Sequence, residues 1–320
     1  MRYLVTGGAG FIGSHLAEAL LARGDQVICV DNFNDYYSPA RKRRNITAAL
    51  GHPGYTLVEA DIRDDPAIDA AFATHRPDKV AHIAAMGSIP YSVRHPKLYE
   101  EVNIRGTLNI LDAARRHDVH GVVLASTSSI YGRTDKIPFV ETDPTDRPLA
   151  PYPASKKATE VLAASYNTSY GLPCVCLRFF NVYGPRGRPD MTPYMFTDAI
   201  VHDRPITLYD GGRPRRDWTY VDDIVAGVVA ALDADFSYEV FNLGRGQPVV
   251  MSDFVRIIEH MVGKPAQIVD AQMPANEALV TYADIGKAQR LLGYNPHVSV
   301  EDGLARFWEW YQQEVRPYES

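Results

Sequence analysis

An α/β fold, with a doubly wound parallel sheet and a smaller C-terminal α/β lobe, is predicted by three features of the chain. Apolar runs of strand length alternate with longer helical patterns through the first 180 residues. A glycine-rich turn joins the first strand to the first helix, and an acidic residue ends the second strand. Beyond residue 181 the alternation becomes irregular. The expected division is therefore a nucleotide-binding lobe over 1–180, with a return segment near 217–250, and a second lobe over 181–320.

The first strand is Tyr3-Leu4-Val5, followed by Thr6-Gly7-Gly8-Ala9-Gly10-Phe11-Ile12-Gly13 and a helical pattern from 14 to 22 that closes at Arg23-Gly24. The second strand, Val27-Ile28-Cys29-Val30, ends in Asp31. Glycines at 7, 10 and 13 permit a tight turn, close approach of a pyrophosphate, and tight packing of helix on strand, with phosphates at the helix N-terminus. This is a Rossmann-type opening. Asp31 is placed to take adenosine ribose hydroxyls and to repel a 2′-phosphate, which selects NAD over NADP. The basic run Arg41-Lys42-Arg43-Arg44 lies past the strand end and reads as a solvated face.

A third strand over 57–60 ends in Asp61-Ile62-Arg63, where an adenine is expected, and a fourth covers 80–85. His82 within it reads as a packed histidine. The loop Met86-Gly87-Ser88-Ile89-Pro90-Tyr91-Ser92 follows a strand's C-terminal end, where ligands of open α/β sheets bind. A helix is predicted over 102–115 with Asn103 near its start, then a fifth strand over 122–125 ending in Ser126-Thr127-Ser128-Ser129. Four hydroxyls at one strand end suit a polyhydroxylic ligand. The coenzyme cleft is assigned Gly7, Gly10, Phe11, Ile12, Gly13, Asp31, Asn32, Asp61, Ile62, Ala84, Ala85 and Asn103.

Tyr152 and Lys156 stand four apart in Leu149-Ala150-Pro151-Tyr152-Pro153-Ala154-Ser155-Lys156-Lys157, one turn from each other on a helix face. An ammonium held there lowers the pKa of a phenol and lets it exchange a proton with a hydroxyl while a cofactor handles hydride. A sixth strand covers 174–180. Helices are expected from 192 to 202, from Arg215 onward, from Ser252 as N-cap, and from 300 to 314 with Ser299 as cap.

The totals exclude several classes. A net charge of -6 argues against a nucleic-acid or anionic-membrane binder, which needs a basic face. No apolar run reaches membrane-spanning length. Cys29, Cys174 and Cys176 sit in strand-like apolar runs and read as buried free thiols of a reducing, cytoplasmic compartment. No residue is assigned as a metal ligand.

The glycine turn, Thr127, Tyr152 with Lys156, and Arg216-Asp217-Trp218-Thr219-Tyr220-Val221-Asp222-Asp223 resemble, in order and end to end, the extended short-chain dehydrogenase/reductase family. Within it the chain is most similar to nucleotide-sugar 4-epimerases. Asp31-Asn32-Phe33-Asn34-Asp35-Tyr36-Tyr37 and Gly187-Arg188-Pro189-Asp190-Met191 resemble UDP-glucuronate 4-epimerases in particular. The resemblance implies that Tyr152 removes the 4-hydroxyl proton as the C4 hydride passes to a retained NAD, and that a 4-keto sugar turns over and is reduced on its other face. It gives Lys156 the nicotinamide ribose and control of the Tyr152 pKa, and Thr127 the 4-oxygen. It places Asn181 on the diphosphate, Tyr209 against uracil and Arg216 on the phosphates, and it implies a homodimer through helices near 103–115 and 153–168.

Related 4,6-dehydratases carry Asp-Glu directly after the Thr of this strand end, and sugar decarboxylases carry Glu two residues after it. Ser128 and Ser129 stand there in this chain, which removes the extra proton-transfer group and leaves epimerisation. UDP-glucuronate epimerases usually have Thr at the position of Asn181; Asn leans towards UDP-glucose or UDP-N-acetylglucosamine epimerases, and the loop at Ser88 towards the N-acetyl group. Arg188 with Thr127, Ser128 and Ser129 either holds a sugar carboxylate or holds a 6-hydroxyl and structures its loop; both readings stay open. The diphosphate Arg often found in the segment Met273-Pro274-Ala275-Asn276-Glu277 is missing, so either Arg216 carries more of the charge, or the nucleotide is held differently or is not UDP.

Overall fold

The computed structural model describes residues 1–275 and 277–315. Seven parallel strands form one sheet in the order β11-β6-β5-β4-β1-β2-β3. They are β1 (Arg2–Thr6), β2 (Gln26–Asp31), β3 (Tyr55–Glu59), β4 (Lys79–His82), β5 (Val122–Thr127), β6 (Cys174–Phe179) and β11 (Tyr238–Leu243). The order reverses between β1 and β4, and the cleft at that reversal is where the C-terminal ends of the strands leave room for a ligand.

Successive side chains of a strand face opposite ways, and the sheet is covered on both faces. Tyr3, Val5, Val27 and Cys29 pack with Leu16 and Leu20 of the helix Phe11–Ala22 and Ile224 and Val228 of the helix Val221–Asp233. Leu4, Ile28, Val30 and Leu124 pack instead with Phe72, Ile110, Leu111 and Ala163, from the helices Asp65–His75, Gly106–Arg116 and Pro151–Tyr170.

After β6 the chain forms three two-stranded ribbons. β7 (Val182–Tyr183) pairs with β10 (Thr219–Tyr220), β8 (Ile206–Tyr209) with β13 (Ile268–Ala271), and β9 (Arg215–Arg216) with β12 (Val249–Val250). The helix expected to start at Arg215 is therefore delayed: two ribbon strands come first, and the helix begins at Val221. Ser252 is not an N-cap either. Val250 holds that position and Ser252 lies inside the helix Met251–Val262. Ser299 does cap its helix, accepting from the Asp302 N–H at 3.0 Å. The helix predicted over 102–115 opens with a π-helical segment, Glu100–Arg105, that contains Asn103. No described helix is long and apolar enough to cross a membrane.

Candidate active site

The glycine turn is built by backbone contact. Gly7 has φ +66°, and a Cβ on Gly13 would stand 2.1 Å from the Gly7 carbonyl oxygen. The loop is tied down on both sides of Ala9, whose N–H donates to Asp31 Oδ2 at 3.1 Å and whose carbonyl accepts from Asn45 at 3.0 Å. The following helix starts with Gly10 as N-cap and no side-chain cap, leaving first-turn N–H groups for a ligand's oxygens. Above them the Tyr37 hydroxyl is buried without a hydrogen-bond partner and lies 4.0 Å from where a Gly10 Cβ would be. An unpartnered buried hydroxyl beside uncapped N–H groups and a glycine cradle fits a diphosphate.

The cleft is lined by Gly7, Gly10, Phe11, Ile12 and Gly13, by Asp31 and Asn32, by Asp61 and Ile62, and by Ala84 and Ala85. Asp31 has a structural task as well, since Phe33 N–H donates to its other oxygen at 2.9 Å. A carboxylate accepts about four hydrogen bonds, so the two remaining sites suffice for ribose hydroxyls. Burial pushes the Asp31 pKa up, against the backbone donors and Lys42, which pull it down. Asp61 is held down to about 2, chiefly by its hydrogen bond from Arg63.

Three expectations need correction here. Lys42 does not belong to a solvated face: it is 5% exposed, lines the cleft, and donates to the Asn34 carbonyl and Oδ1 at 2.8 and 2.7 Å. The short segment after β2 folds back over the cleft and brings the lysine with it, which charge patterning along the chain cannot show. Asn103 does not line the cleft. Its amide spans Met86 N–H, Met86 carbonyl and Ser155 Oγ at 2.8, 3.0 and 2.9 Å, stapling the loop after β4 to the helix that carries Tyr152.

The third correction concerns Tyr152. Burial pushes its phenol above the usual value, against the nearby Thr127 and the charge of Arg188, which pull it down. Lys156, 2% exposed, is itself lowered to about 8 by burial. Arg188 brings a positive charge near the phenol in addition to the lysine one turn away. A helical spacing fixes two side chains on one face but says nothing about a third charge arriving from residue 188.

Thr127, Ser128, Ser129 and Tyr152 line a cavity of about 600 Å³ together with Ser88, Asn181, Arg188, Tyr209 and Arg216. Phe11, Ile12, Gly87 and Arg188 border both this cavity and the glycine-loop cleft, so the two are continuous. Ser128 and Ser129 follow β5 in a short 3₁₀ turn (Ser128–Tyr131), with Thr127 Oγ1 accepting from Ser129 N–H at 3.2 Å. Ser88 caps its own helix through Tyr91 N–H at 3.4 Å.

Arg188 was singled out by motif alone, but its neighbours are legible only in the fold. It donates to Asp190 at 2.9 and 3.0 Å and to the Gly87 carbonyl, and Tyr36 donates to the same Asp190 carboxylate at 2.8 Å. Arg216 donates to Glu277 at 3.4 Å and to the carbonyls of Arg215 and Leu279. Asn276 lies outside the described residues. Asp217 is a backbone anchor, accepting from Arg245, Gly246 and Ala283.

His82 is packed, as expected. Thr107 donates to the Asn103 carbonyl, so its oxygen accepts from His82 Nε2, leaving Nδ1 to accept from Thr6 at 2.7 Å. Burial pushes this imidazole down to about 3. It stays neutral near pH 7 and has no part in proton transfer.

Fold and site together define a dinucleotide-binding enzyme with a phenol on the wall of a polar, sugar-sized cavity. The chain belongs to the NAD dependent epimerase/dehydratase family, which residues 3–244 match. It is 40% identical over 335 residues to a probable UDP-glucuronate 4-epimerase of Rhizobium meliloti, covering 99% of this chain and 98% of that protein. Among solved structures it is similar to the UDP-glucuronic acid 4-epimerase of Bacillus cereus in complex with UDP-glucuronic acid and NAD (TM-score 0.92, 33% identity, 98% of this chain and 99% of that one). DesIV of Streptomyces venezuelae, a dTDP-glucose 4,6-dehydratase, is similar to the same degree (TM-score 0.93, 31% identity, 100% and 99%). Backbone likeness thus spans two chemistries, and side chains must choose between them.

Proposed function

We propose that the protein is an NAD-dependent epimerase that inverts C4 of a UDP-sugar through a transient 4-keto sugar, with UDP-glucuronate and UDP-galacturonate as its pair. The observation that carries this reading is one cavity in which Tyr152 and Thr127 face Ser128 and Ser129, with Arg188 at the mouth of the coenzyme cleft. Bound NAD supplies the acceptor, and then the donor, of the C4 hydride. Tyr152 takes the 4-hydroxyl proton as a phenolate and later returns it, while Thr127 hydrogen-bonds the 4-oxygen. Gly7, Gly10, Phe11, Ile12, Gly13, Asp31 and Lys42 hold the coenzyme, and Asn181, Tyr209 and Arg216 the nucleotide. Lys156 supports the nicotinamide end from below. The serines after Thr127 offer no further acid, which favours epimerisation over dehydration.

Arg188 supports the uronate. With Nε and Nη2 held by Asp190 and the Gly87 carbonyl, its Nη1 is left to donate to a carboxylate. Asn181 sits at φ 29°, a backbone conformation that suits Asn better than a β-branched Thr, so Asn here does not argue against the uronate. The test is purified enzyme given UDP-glucuronate, UDP-glucose and UDP-N-acetylglucosamine in parallel. Arg188→Met is expected to lower kcat/KM for UDP-glucuronate about 100-fold, as loss of a buried charged contact does, and for UDP-glucose less than about fivefold. Preference for UDP-glucose by the unmodified enzyme, or equal losses on both sugars in the variant, would overturn the uronate assignment.

We assign residues 1–180, with β11 returning to the sheet edge, to the coenzyme lobe and 181–320 to the nucleotide-sugar lobe; the change from one large sheet to short ribbons supports this. We also propose a homodimer through the helices near 103–115 and 153–168. Exposed Leu108, Val161 and Tyr170 on those helices support it. Sedimentation should show a dimer at micromolar protein and a monomer for Val161→Glu; an unmodified monomer counts against it. Three buried free thiols support a cytoplasmic location.

A further inference from the structure

A buried ionic group lies behind the cavity and takes no part in the reaction just described. Glu160 and Arg178 are 2% and 3% exposed. Arg178 Nε and Nη2 donate to the two Glu160 oxygens at 2.9 Å each, and Ser126 Oγ donates to Oε1 at 2.7 Å. Lys157 adds a longer contact at 3.4 Å. The other side of Arg178 donates to Tyr131 Oη at 2.8 Å, and Tyr131 in turn to Asn242 at 2.6 Å. Taking two charges out of water is costly, and an apolar pair of similar volume holds elements together as well or better. Burial alone therefore does not account for this group.

Its placement does. Ser126 is the residue before Thr127 and stands in register with Arg178 across β5 and β6. Glu160 lies one turn beyond Lys156 and two beyond Tyr152 on the helix Pro151–Tyr170. One carboxylate thus grips two neighbouring strands, at the end that carries Thr127, from the helix that carries Tyr152 and Lys156. Apolar packing tolerates sliding of a helix along a sheet, whereas a bidentate pair with a third donor has a single geometry.

We propose that Glu160 and Arg178 are positioning residues that set the helix against the strand ends, so that Tyr152 and Lys156 meet Thr127 in reacting register. The inference rests on the epimerase reading. Its test uses the holoenzyme carrying Glu160→Leu with Arg178→Met, an apolar replacement of the pair, and separately Ser126→Ala. A purely structural pair predicts a double variant that folds and works. Positioning predicts a double variant melting within a few degrees of the unmodified enzyme, with kcat lower by about 10-fold or more and KM for the UDP-sugar within about twofold, because small misplacements act on the reacting geometry and not on binding. Ser126→Ala should lower kcat about threefold at unchanged KM on the same reasoning.

A folded double variant with kcat within twofold of normal overturns the proposal. If that variant does not fold, Ser126→Ala decides, and a normal kcat there overturns it. NAD affinity of the apoprotein, by calorimetry, is the readout that needs no turnover: it should weaken several-fold in the double variant as Lys156 loses its seat. An unmodified enzyme that binds NAD but converts none of the sugars refutes the epimerase reading, and unchanged NAD affinity in the variant then refutes positioning.

Discussion

Tyr152→Phe should reduce turnover by about 10³-fold, within the range removed with a general acid–base group, while NAD binding and melting temperature stay near normal. The change deletes one oxygen and keeps the ring. That ring packs edge-on against Tyr99, with centroids 6.0 Å apart at 71°, a contact phenylalanine preserves. The hydroxyl it loses shares the cavity wall with Thr127 and lies near the charge of Arg188. Among the described cavity-wall residues the carboxylates Asp190 and Glu277 are engaged with Arg188 and Arg216, and His82, off that wall, is buried and neutral. The check is UDP-sugar turnover followed by NMR beside a calorimetric NAD titration. Full turnover with every sugar tested would remove the phenol from the mechanism and open the case for a protein that only binds the coenzyme.

Gly13→Ala should abolish coenzyme binding and destabilise the fold by about 3 kcal/mol or more, the magnitude of overpacking against atoms that cannot yield. The added Cβ would stand 2.1 Å from the Gly7 oxygen and 2.8 Å from Gly7 C and Gly8 Cα, all backbone of the same turn. Relief requires the helix Phe11–Ala22 to move off β1, which pulls its N-terminal N–H groups away from the diphosphate position. Gly51→Ala is the control. Nothing lies within 4 Å of its Cβ position, and its NAD titration and melting curve should match the unmodified protein. Tight NAD binding by Gly13→Ala would show that the coenzyme is held elsewhere.

Much of this was legible along the chain because the physics involved is local. A glycine triplet between a strand and a helix, an acid closing the next strand, and a Tyr-Lys pair at helical spacing are each set within a few residues, and alternating apolar runs commit the chain to a covered parallel sheet. Motif order supplied the rest of the family reading, down to Ser128 and Ser129 where a dehydratase needs acids. What the chain alone decided, then, is the fold class, the family and the coenzyme.

The tertiary structure decided which charge meets which. Lys42 turns from a surface run into the cleft wall, Asn103 spends its amide on Met86 and Ser155 instead of a ligand, and Asn181 answers to a left-handed backbone. Arg188 brings its charge near the Tyr152 phenol, and Arg178 bonds Glu160 in register with Ser126. These pairings join residues far apart in the chain, and their strength depends on how much water the folded protein excludes around them. Neither spacing nor composition carries that quantity, since exclusion of water exists only once the elements have packed.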